Sequence, residues 1–128
     1  MIDYITLGTN NLERAIGFFD AVLPILGHGR FSVRDGWAGY GPNGRKEAPV
    51  LWLCAPFDKA PASAGNGTML SFTAPTRELV RKVHAAALAS GATDEGAPGL
   101  RQYAPDWYGA YFRGPDGHKF SVVCRRPE

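Results

Sequence analysis

Cysteine is scarce in this sequence, with only two residues in a chain of 128. Cys54 and Cys124 form no CxxC pair, and two cysteines are too few for a disulfide framework. Each of them ends an apolar run typical of a β-strand, so we expect both to be buried free thiols. The cysteine pattern therefore argues against a disulfide-stapled scaffold and against a thiolate metal site.

Long apolar segments and clusters of like charge are also missing. No apolar stretch approaches the roughly 20 residues that a membrane-spanning helix needs, and the sequence opens without the pattern of a signal peptide. The 14 Lys and Arg residues and the 12 Asp and Glu residues give a net charge of +2 without a basic stripe. We therefore predict a cytoplasmic protein that binds neither nucleic acid nor membrane.

The composition that is present is that of a folded globular domain. Apolar residues make up 45% of the chain and charged residues 20%, and 128 residues suit one domain. Residues 55–67, APFDKAPASAGNG, have no periodicity and are rich in Pro, Ala, Ser and Gly, which is typical of a linker. We predict a single domain, residues 1–128, with module 1 at about 1–55, a linker at about 56–66 and module 2 at about 67–126.

The hydrophobic period changes soon after the start of the chain. Alternating residues predict a strand at residues 2–7. An apolar stripe with helical spacing begins at Leu12, and Asn10 followed by Glu13 resembles a capping box, so a helix is predicted next. The dipeptide at residues 35–36, Asp-Gly, predicts a hairpin. The other predicted elements are a strand at 50–54, a strand at 68–73, a helix starting at Pro75 and ending at Gly91, and extended segments at 93–103, 108–113 and 119–124.

A turn motif occurs twice, as Gly-Pro-Asn-Gly at residues 41–44 and Gly-Pro-Asp-Gly at 114–117. In both halves it joins the last two predicted strands, so each half reads strand, helix and three strands. Neither half can bury its sheet face alone. We therefore predict an α+β fold of two tandem βαβββ modules, forming a curved eight-stranded mixed sheet, or cup, with the helices outside.

Three stretches resemble a known family over nearly the whole chain. They are IDYITLGTNNLERAIGFFDAVLPILG at 2–27, GNGTMLSFTAPTRELVRKVHAAALASGA at 65–92 and APGLRQYAPDWYGAYFRGPDGHKFSVV at 97–123. Together they resemble the vicinal oxygen chelate superfamily, which includes glyoxalase I, extradiol dioxygenases and bleomycin-resistance proteins. The third stretch is similar to the bacterial glyoxalase-like subgroup, in which a PGLR motif and a tyrosine precede a YFxDPDG hairpin.

The resemblance implies metal-ligand positions at which this chain lacks the ligands. Tyr4 and Met69 stand where metal-dependent relatives have histidines, and Ser121 stands where they have a glutamate. The remaining position falls on Leu51 or Trp52, and neither side chain binds a divalent ion. A phenol, a thioether and a neutral hydroxyl are poor ligands for such ions. We therefore expect no bound metal and no cofactor.

Without the metal, the cavity of the family is expected to be an amphipathic pocket that suits planar or apolar molecules. Core packing would explain its aromatic residues equally well. One cationic member, Arg101, either attracts a carboxylate at the rim or is simply solvated. The predicted lining is Tyr4, Trp52, Met69, Arg101, Tyr103, Trp107, Tyr111 and Ser121.

Two functions remain open from the sequence. The resemblance to the drug-sequestering branch favours a metal-independent binding protein for an aromatic or apolar metabolite or drug. The alternative is a glyoxalase-like lyase or isomerase that uses Tyr4, Ser121 or Tyr103 as an acid or base, or an atypical metal site. A phenol with a pKa near 10 needs an environment that lowers it before it acts as a base. We therefore favour binding, and the resemblance also predicts a homodimer.

Overall fold

The computed structural model describes residues 1–128 and confirms the α+β class. The helices are α1 (Leu12–Val22) and α2 (Arg77–Ala89), and a 3-10 turn, Leu23–Leu26, follows α1. The strands are β1 (Tyr4–Gly8), β2 (His28–Arg34), β3 (Trp37–Pro42), β4 (Val50–Cys54), β5 (Met69–Thr73), β6 (Thr93–Leu100), β7 (Tyr108–Arg113) and β8 (Lys119–Cys124). Each half of the chain therefore has the predicted order of one strand, one helix and three strands.

The chain divides into two compact units, Met1–Ser63 and Ala64–Glu128, called unit 1 and unit 2 below. Unit 1 has the strand order β1-β4-β3-β2 and unit 2 has the order β5-β8-β7-β6. In both units the first strand runs parallel to the last, and the other pairs are antiparallel. The eight strands thus form two mixed four-stranded sheets, one for each βαβββ module, and neither closes into a barrel.

Helix α1 covers one face of the sheet in unit 1. Its apolar stripe places Ala15, Phe18, Phe19 and Val22 in the core. Tyr40 of β3 points to the same face, because its hydroxyl donates to Asp20 Oδ1 on α1 at 2.8 Å. The predicted hairpin is also confirmed, since Asp35 and Gly36 have φ values of 53° and 82°, as a type I′ turn requires.

The capping box predicted at Asn10 and Glu13 is wrong. The N-cap of α1 is Asn11, whose Oδ1 accepts a hydrogen bond from Arg14 N at 3.0 Å. Asn10 is engaged elsewhere: its Nδ2 donates to Ala62 O at 3.0 Å and its Oδ1 accepts from Ala62 N at 2.6 Å. The side chain of Asn10 therefore fastens the segment after β4 instead of starting the helix.

Helix α2 covers one face of the sheet in unit 2. The prediction that it starts at Pro75 is wrong by two residues, because Thr76 is the N-cap and accepts from Leu79 N at 3.1 Å. The strand predicted at 93–103 ends earlier, at Leu100.

The core of unit 2 contains three phenylalanine rings. Phe120 packs between Phe72 and Phe112, and its ring centroid lies 5.6 Å from the centroid of each.

Two further observations concern the chain as a whole. Cys54 and Cys124 are free and buried, which confirms the prediction from their positions at the ends of apolar strands. Neither helix has the length and apolar character required to cross a bilayer.

Candidate ligand-binding site

The side of each sheet that faces away from its own helix is called the distal face below. In unit 2, Tyr108 faces α2, because its hydroxyl accepts from Arg81 Nη1 at 3.2 Å. Side chains alternate along a strand, so Tyr111 of β7 lies on the distal face. Tyr111 is paired with Ser121 of β8, and Ser121 is paired with Ser71 of β5. Met69 stands two residues before Ser71 on β5 and therefore points to the same face. The distal face of unit 2 therefore carries three residues of the predicted pocket, Met69, Tyr111 and Ser121.

A cavity of about 520 Å³ lies at this distal face. Its lining consists of Met69, Glu95, Tyr103, Trp107, Tyr111 and Lys119. The structure thus brings four residues of the predicted lining around one cavity, together with two that sequence reasoning missed. The sequence contained a signal for Lys119, because it stands two residues before Ser121 on β8 and side chains two residues apart point to the same face. Nothing in the sequence pattern singled out Glu95.

The aromatic part of the lining comes from β7 and from the loop before it. The base of this loop is closed by a hydrogen bond from Arg101 N to Trp107 O, 2.8 Å long. Trp107 stacks on Tyr111 at a centroid distance of 6.3 Å and meets the Tyr103 ring edge-on at 5.0 Å. Gly109 makes room for the indole, because a Cβ there would lie 2.5 Å from Trp107 Cζ3. The three rings form one cluster, and Tyr103 is 73% exposed.

The charges around the cavity are unevenly paired. The guanidinium carbon of Arg101 lies 5.5 Å from the centroid of the Tyr111 ring, and Lys119 Nζ lies 5.8 Å from it. Glu95 is held by Arg113, whose Nε donates to Glu95 Oε1 at 2.7 Å. Arg101 lies beside Tyr111 but is not part of the cavity lining. The one acidic group in the lining, Glu95, already has a cationic partner.

Two hydroxyl groups of this face differ in their surroundings. Burial, followed by the neighbouring Tyr103, raises the pKa of Tyr111, and Arg101 acts in the opposite direction. Tyr111 therefore remains a neutral phenol at neutral pH, and its hydroxyl interacts with that of Tyr103. Ser121 is 1% exposed, and its Oγ has no hydrogen-bond partner. With no base in contact, the Ser121 hydroxyl is not activated as a nucleophile.

In unit 1 the choice between Leu51 and Trp52 is resolved by strand pairing. Leu51 is paired with Tyr40, which faces α1, whereas Trp52 is paired with Gly39 and lies on the distal face. The indole lies so close over β3 that a Cβ at Gly39 would be 2.5 Å from Trp52 Cζ3. Trp52 also lines a cavity of about 570 Å³, whose other lining residues are Phe31, Ser32, Arg34, Asp35, Trp37 and Lys46.

Tyr4 shares the distal face of unit 1 with Trp52. It is paired with Val50, two residues before Trp52, and is 59% exposed. Tyr4 lines neither of the two cavities described above. The predicted lining is thus divided between the units, with Tyr4 and Trp52 in unit 1 and the other six residues in unit 2.

No family sequence model matches the chain, and no curated protein does. Among solved structures, it is similar to the crystal structure of a glyoxalase/bleomycin resistance protein from Albidiferax ferrireducens T118. The two are 35% identical, the match covers 99% of each chain, and the TM-score is 0.87. This chain belongs to the glyoxalase/bleomycin resistance protein family.

Solved structures with lower sequence identity share the fold. A glyoxalase/bleomycin resistance protein/dioxygenase family enzyme from Burkholderia phytofirmans PsJN is 22% identical, with 97% of this chain and 98% of that chain covered and a TM-score of 0.75. TnmS3, an antibiotic binding protein from Streptomyces sp. CB03234, is 17% identical, with 98% and 96% covered and a TM-score of 0.64. The predicted resemblance to the vicinal oxygen chelate superfamily is confirmed.

The residues of this glyoxalase/bleomycin resistance family member do not fit the divalent metal of metal-dependent relatives. No group of three or more His, Cys, Asp or Glu side chains is arranged to hold a metal ion. At the positions that the resemblance assigned to ligands, Tyr4 offers an exposed phenol, Met69 a thioether and Ser121 a neutral hydroxyl. Zn²⁺ and similar ions prefer imidazole, carboxylate and thiolate donors. These three side chains therefore do not form a site for such an ion.

Proposed function

We propose that this protein binds a small aromatic or apolar molecule, without a metal, in the cavity of unit 2. The observation that carries the proposal is the cluster of Tyr103, Trp107 and Tyr111 with Met69 around about 520 Å³ of space. Small-molecule sites typically enclose roughly 300–1,000 Å³ and are lined by apolar and aromatic side chains with a few polar groups. A planar ligand would stack on the exposed Tyr103 ring and contact the Met69 thioether.

A protein of the same fold is known to bind a small molecule. The Streptomyces protein of the same fold is an antibiotic binding protein. This supports the class of function that we propose, a protein that holds a drug-sized molecule. The aromatic cluster supports it independently, because it is a feature of this chain's own structure.

Binding is favoured over catalysis by the state of the candidate acid and base groups. Ser121 Oγ has no hydrogen-bond partner that would take its proton. The raised pKa of Tyr111 keeps that phenol protonated. A lyase or isomerase would need one of these groups, or Tyr4 or Tyr103, to be paired with a partner that shifts a proton.

We also propose that the protein is a cytoplasmic homodimer. Buried free thiols suit a reducing compartment. Large apolar side chains are exposed in both units, among them Tyr4 and Trp37 in unit 1 and Leu88 and Leu100 in unit 2. Exposed apolar residues and free strand edges are the features that a symmetric interface covers.

The proposed function is tested with two fluorescent probes, neutral phenylnaphthylamine and its anionic counterpart anilinonaphthalene sulfonate. We expect at least one probe to bind saturably at one site per chain, with an affinity that EDTA does not change. Tyr103→Ala should weaken binding about 2- to 10-fold, the range expected for one aromatic contact. Tyr103→Phe retains the ring and should retain most of the affinity.

Two results would overturn the proposal. The first is the absence of saturable binding for both probes. The second is an unchanged affinity in Tyr103→Ala, since that would place the bound probe away from the aromatic cluster.

A further inference from the structure

Two cations stand beside the aromatic cluster of unit 2 without an acidic partner. Lys119 lines the cavity, and its Nζ lies 5.8 Å from the Tyr111 centroid. The guanidinium of Arg101 lies 5.5 Å from the same ring. Neither side chain forms an ion pair with a carboxylate. Tyr111 is therefore flanked by two cationic groups, neither of which is within ion-pair distance of a carboxylate.

The acidic groups of this region are occupied by other partners. Glu95 accepts from Arg113 Nε at 2.7 Å. Asp94 Oδ1 lies 3.0 Å from His84 Nε2 and accepts from Gly96 N at 2.9 Å. Asp106 is paired with Arg77 at 3.5 Å. The cavity consequently has an excess of positive charge, although the net charge of the whole chain is only +2.

The two cations differ in what they are able to offer. Arg101 uses Nη2 on the Ala97 carbonyl at 2.6 Å and Nη1 on the Leu100 carbonyl at 3.4 Å. It therefore acts as a fixed positive charge at the loop base. Lys119 makes no hydrogen bond to a protein acceptor, and its ammonium carries three donors on a flexible stem. Lys119 is the group that is able to bind an anion directly.

Resting on the proposed binding site, we propose that the unit 2 cavity selects aromatic anions, with Lys119 contacting the carboxylate or sulfonate. The aromatic part of the ligand stacks on Tyr103 and Trp107, the anionic group contacts Lys119, and Arg101 adds to the positive potential around Tyr111. A neutral aromatic molecule makes the stacking contacts but leaves both cations without a counter-charge.

The two probes separate charge selection from stacking, because anilinonaphthalene sulfonate differs from phenylnaphthylamine only by its sulfonate. We expect the wild-type protein to bind the anionic probe about 10-fold more tightly, the low end for a hydrogen bond to a charged group. Lys119→Gln should abolish this preference by weakening the anionic probe and leaving the neutral probe unchanged. Higher salt should weaken the anionic probe alone.

Matched variants control for charge and for location. Lys82→Gln removes the same charge from the exposed face of α2, where Lys82 pairs with Glu78 at 3.1 Å, and should leave both affinities unchanged. Lys46→Gln removes the cation that lies 5.8 Å from the Trp52 ring in unit 1 and should also have no effect. Circular dichroism of each variant verifies that it is folded.

The outcomes separate the inference from the function on which it rests. Equal affinities of the two probes, both weakened by Tyr103→Ala, would overturn anion selection and leave the binding site in place. An equal loss for both probes in Lys119→Gln would overturn it as well, because the lysine would then act by positioning the aromatic cluster. Sensitivity to Lys46→Gln instead of Lys119→Gln would move the site to unit 1. Binding of neither probe would overturn the proposed function itself.

Discussion

Tyr40 joins the sheet of unit 1 to α1 through its phenol. The side chain is buried, and its hydroxyl donates to Asp20 Oδ1 at 2.8 Å while Arg30 holds the same carboxylate at 3.1 Å. Burial, followed by the hydrogen bond and the charge of Asp20, raises the pKa of Tyr40 above its ordinary value of 10.0. The folded protein therefore keeps a proton that the unfolded chain releases at alkaline pH.

This raised pKa predicts a loss of stability above about pH 10, since the unfolded state binds fewer protons there. Tyr40→Phe should cost about 1 kcal/mol of the free energy of unfolding at neutral pH, because Asp20 loses a donor. It should also reduce the further loss of stability above about pH 10. Urea unfolding at several pH values measures both, with the exposed Tyr4→Phe as control. An alkaline loss as steep in Tyr40→Phe as in the wild type would contradict the assignment.

Ser121 is the opposite case, a buried hydroxyl without a partner. An unsatisfied buried polar group costs roughly 1–3 kcal/mol, so Ser121→Ala should be neutral or stabilise the fold by up to about 1 kcal/mol. Ser71→Ala, at the directly paired position of β5, serves as the matched control and should have little effect. A destabilisation above about 1 kcal/mol in urea unfolding would show that the folded protein satisfies the hydroxyl.

At the scale of the secondary structure elements, the two modules repeat their topology but not their side chains. On the distal face of unit 1, Gly39 of β3 is paired with Trp52 of β4. At the equivalent position of unit 2, Tyr111 of β7 is paired with Ser121 of β8. The large ring thus comes from the last strand in one module and from the strand before it in the other. The two distal faces therefore differ in shape, although one βαβββ plan underlies both.

Helix α1 depends on its N-cap. Asn11→Ala removes the acceptor for Arg14 N, and we expect a loss of about 1 kcal/mol in the free energy of unfolding. Asn11→Asp keeps an acceptor and places a negative charge at the helix N-terminus, so it should retain the stability. Chemical denaturation of both variants checks this. A loss in Asn11→Asp as large as in Asn11→Ala would show that another property of the asparagine matters.

For the whole molecule, the predicted homodimer is directly measurable. Light scattering should report about twice the chain mass of 13.8 kDa at micromolar concentrations. The physical reason is that exposed apolar side chains and open strand edges are stabilised when a second copy covers them. A single species with the mass of one chain across the same concentrations would contradict the dimer.

Metal content provides a second test on the whole protein. Because the donors at the expected ligand positions are a phenol, a thioether and a hydroxyl, purified protein should contain no stoichiometric Zn, Ni, Fe or Mn. Elemental analysis after dialysis measures this. One equivalent of a divalent metal retained per chain would show that the assignment of Tyr4, Met69 and Ser121 to the ligand positions is wrong.

The sequence by itself determined the order of the elements, because its signals act over a few residues. Periods of two and of three to four residues predicted strands and helices, Asp35-Gly36 predicted a hairpin, and the repeated turn predicted two modules. Aromatic residues crowded near Tyr103 also pointed to the cluster that the structure places around one cavity. Each of these predictions depends on neighbours along the chain.

Only the tertiary structure decided what depends on distant residues. Asn10 and Asn11 have the same side chain, and Ala62, 52 residues along the chain from Asn10, determines which of them caps α1. Strand register placed Trp52 rather than Leu51 on the distal face and brought Lys119 next to Tyr111. Whether the charge of Lys119 is free depends on where every nearby carboxylate is paired. Such pairing is a property of three-dimensional contacts, and no local pattern in the sequence encodes it.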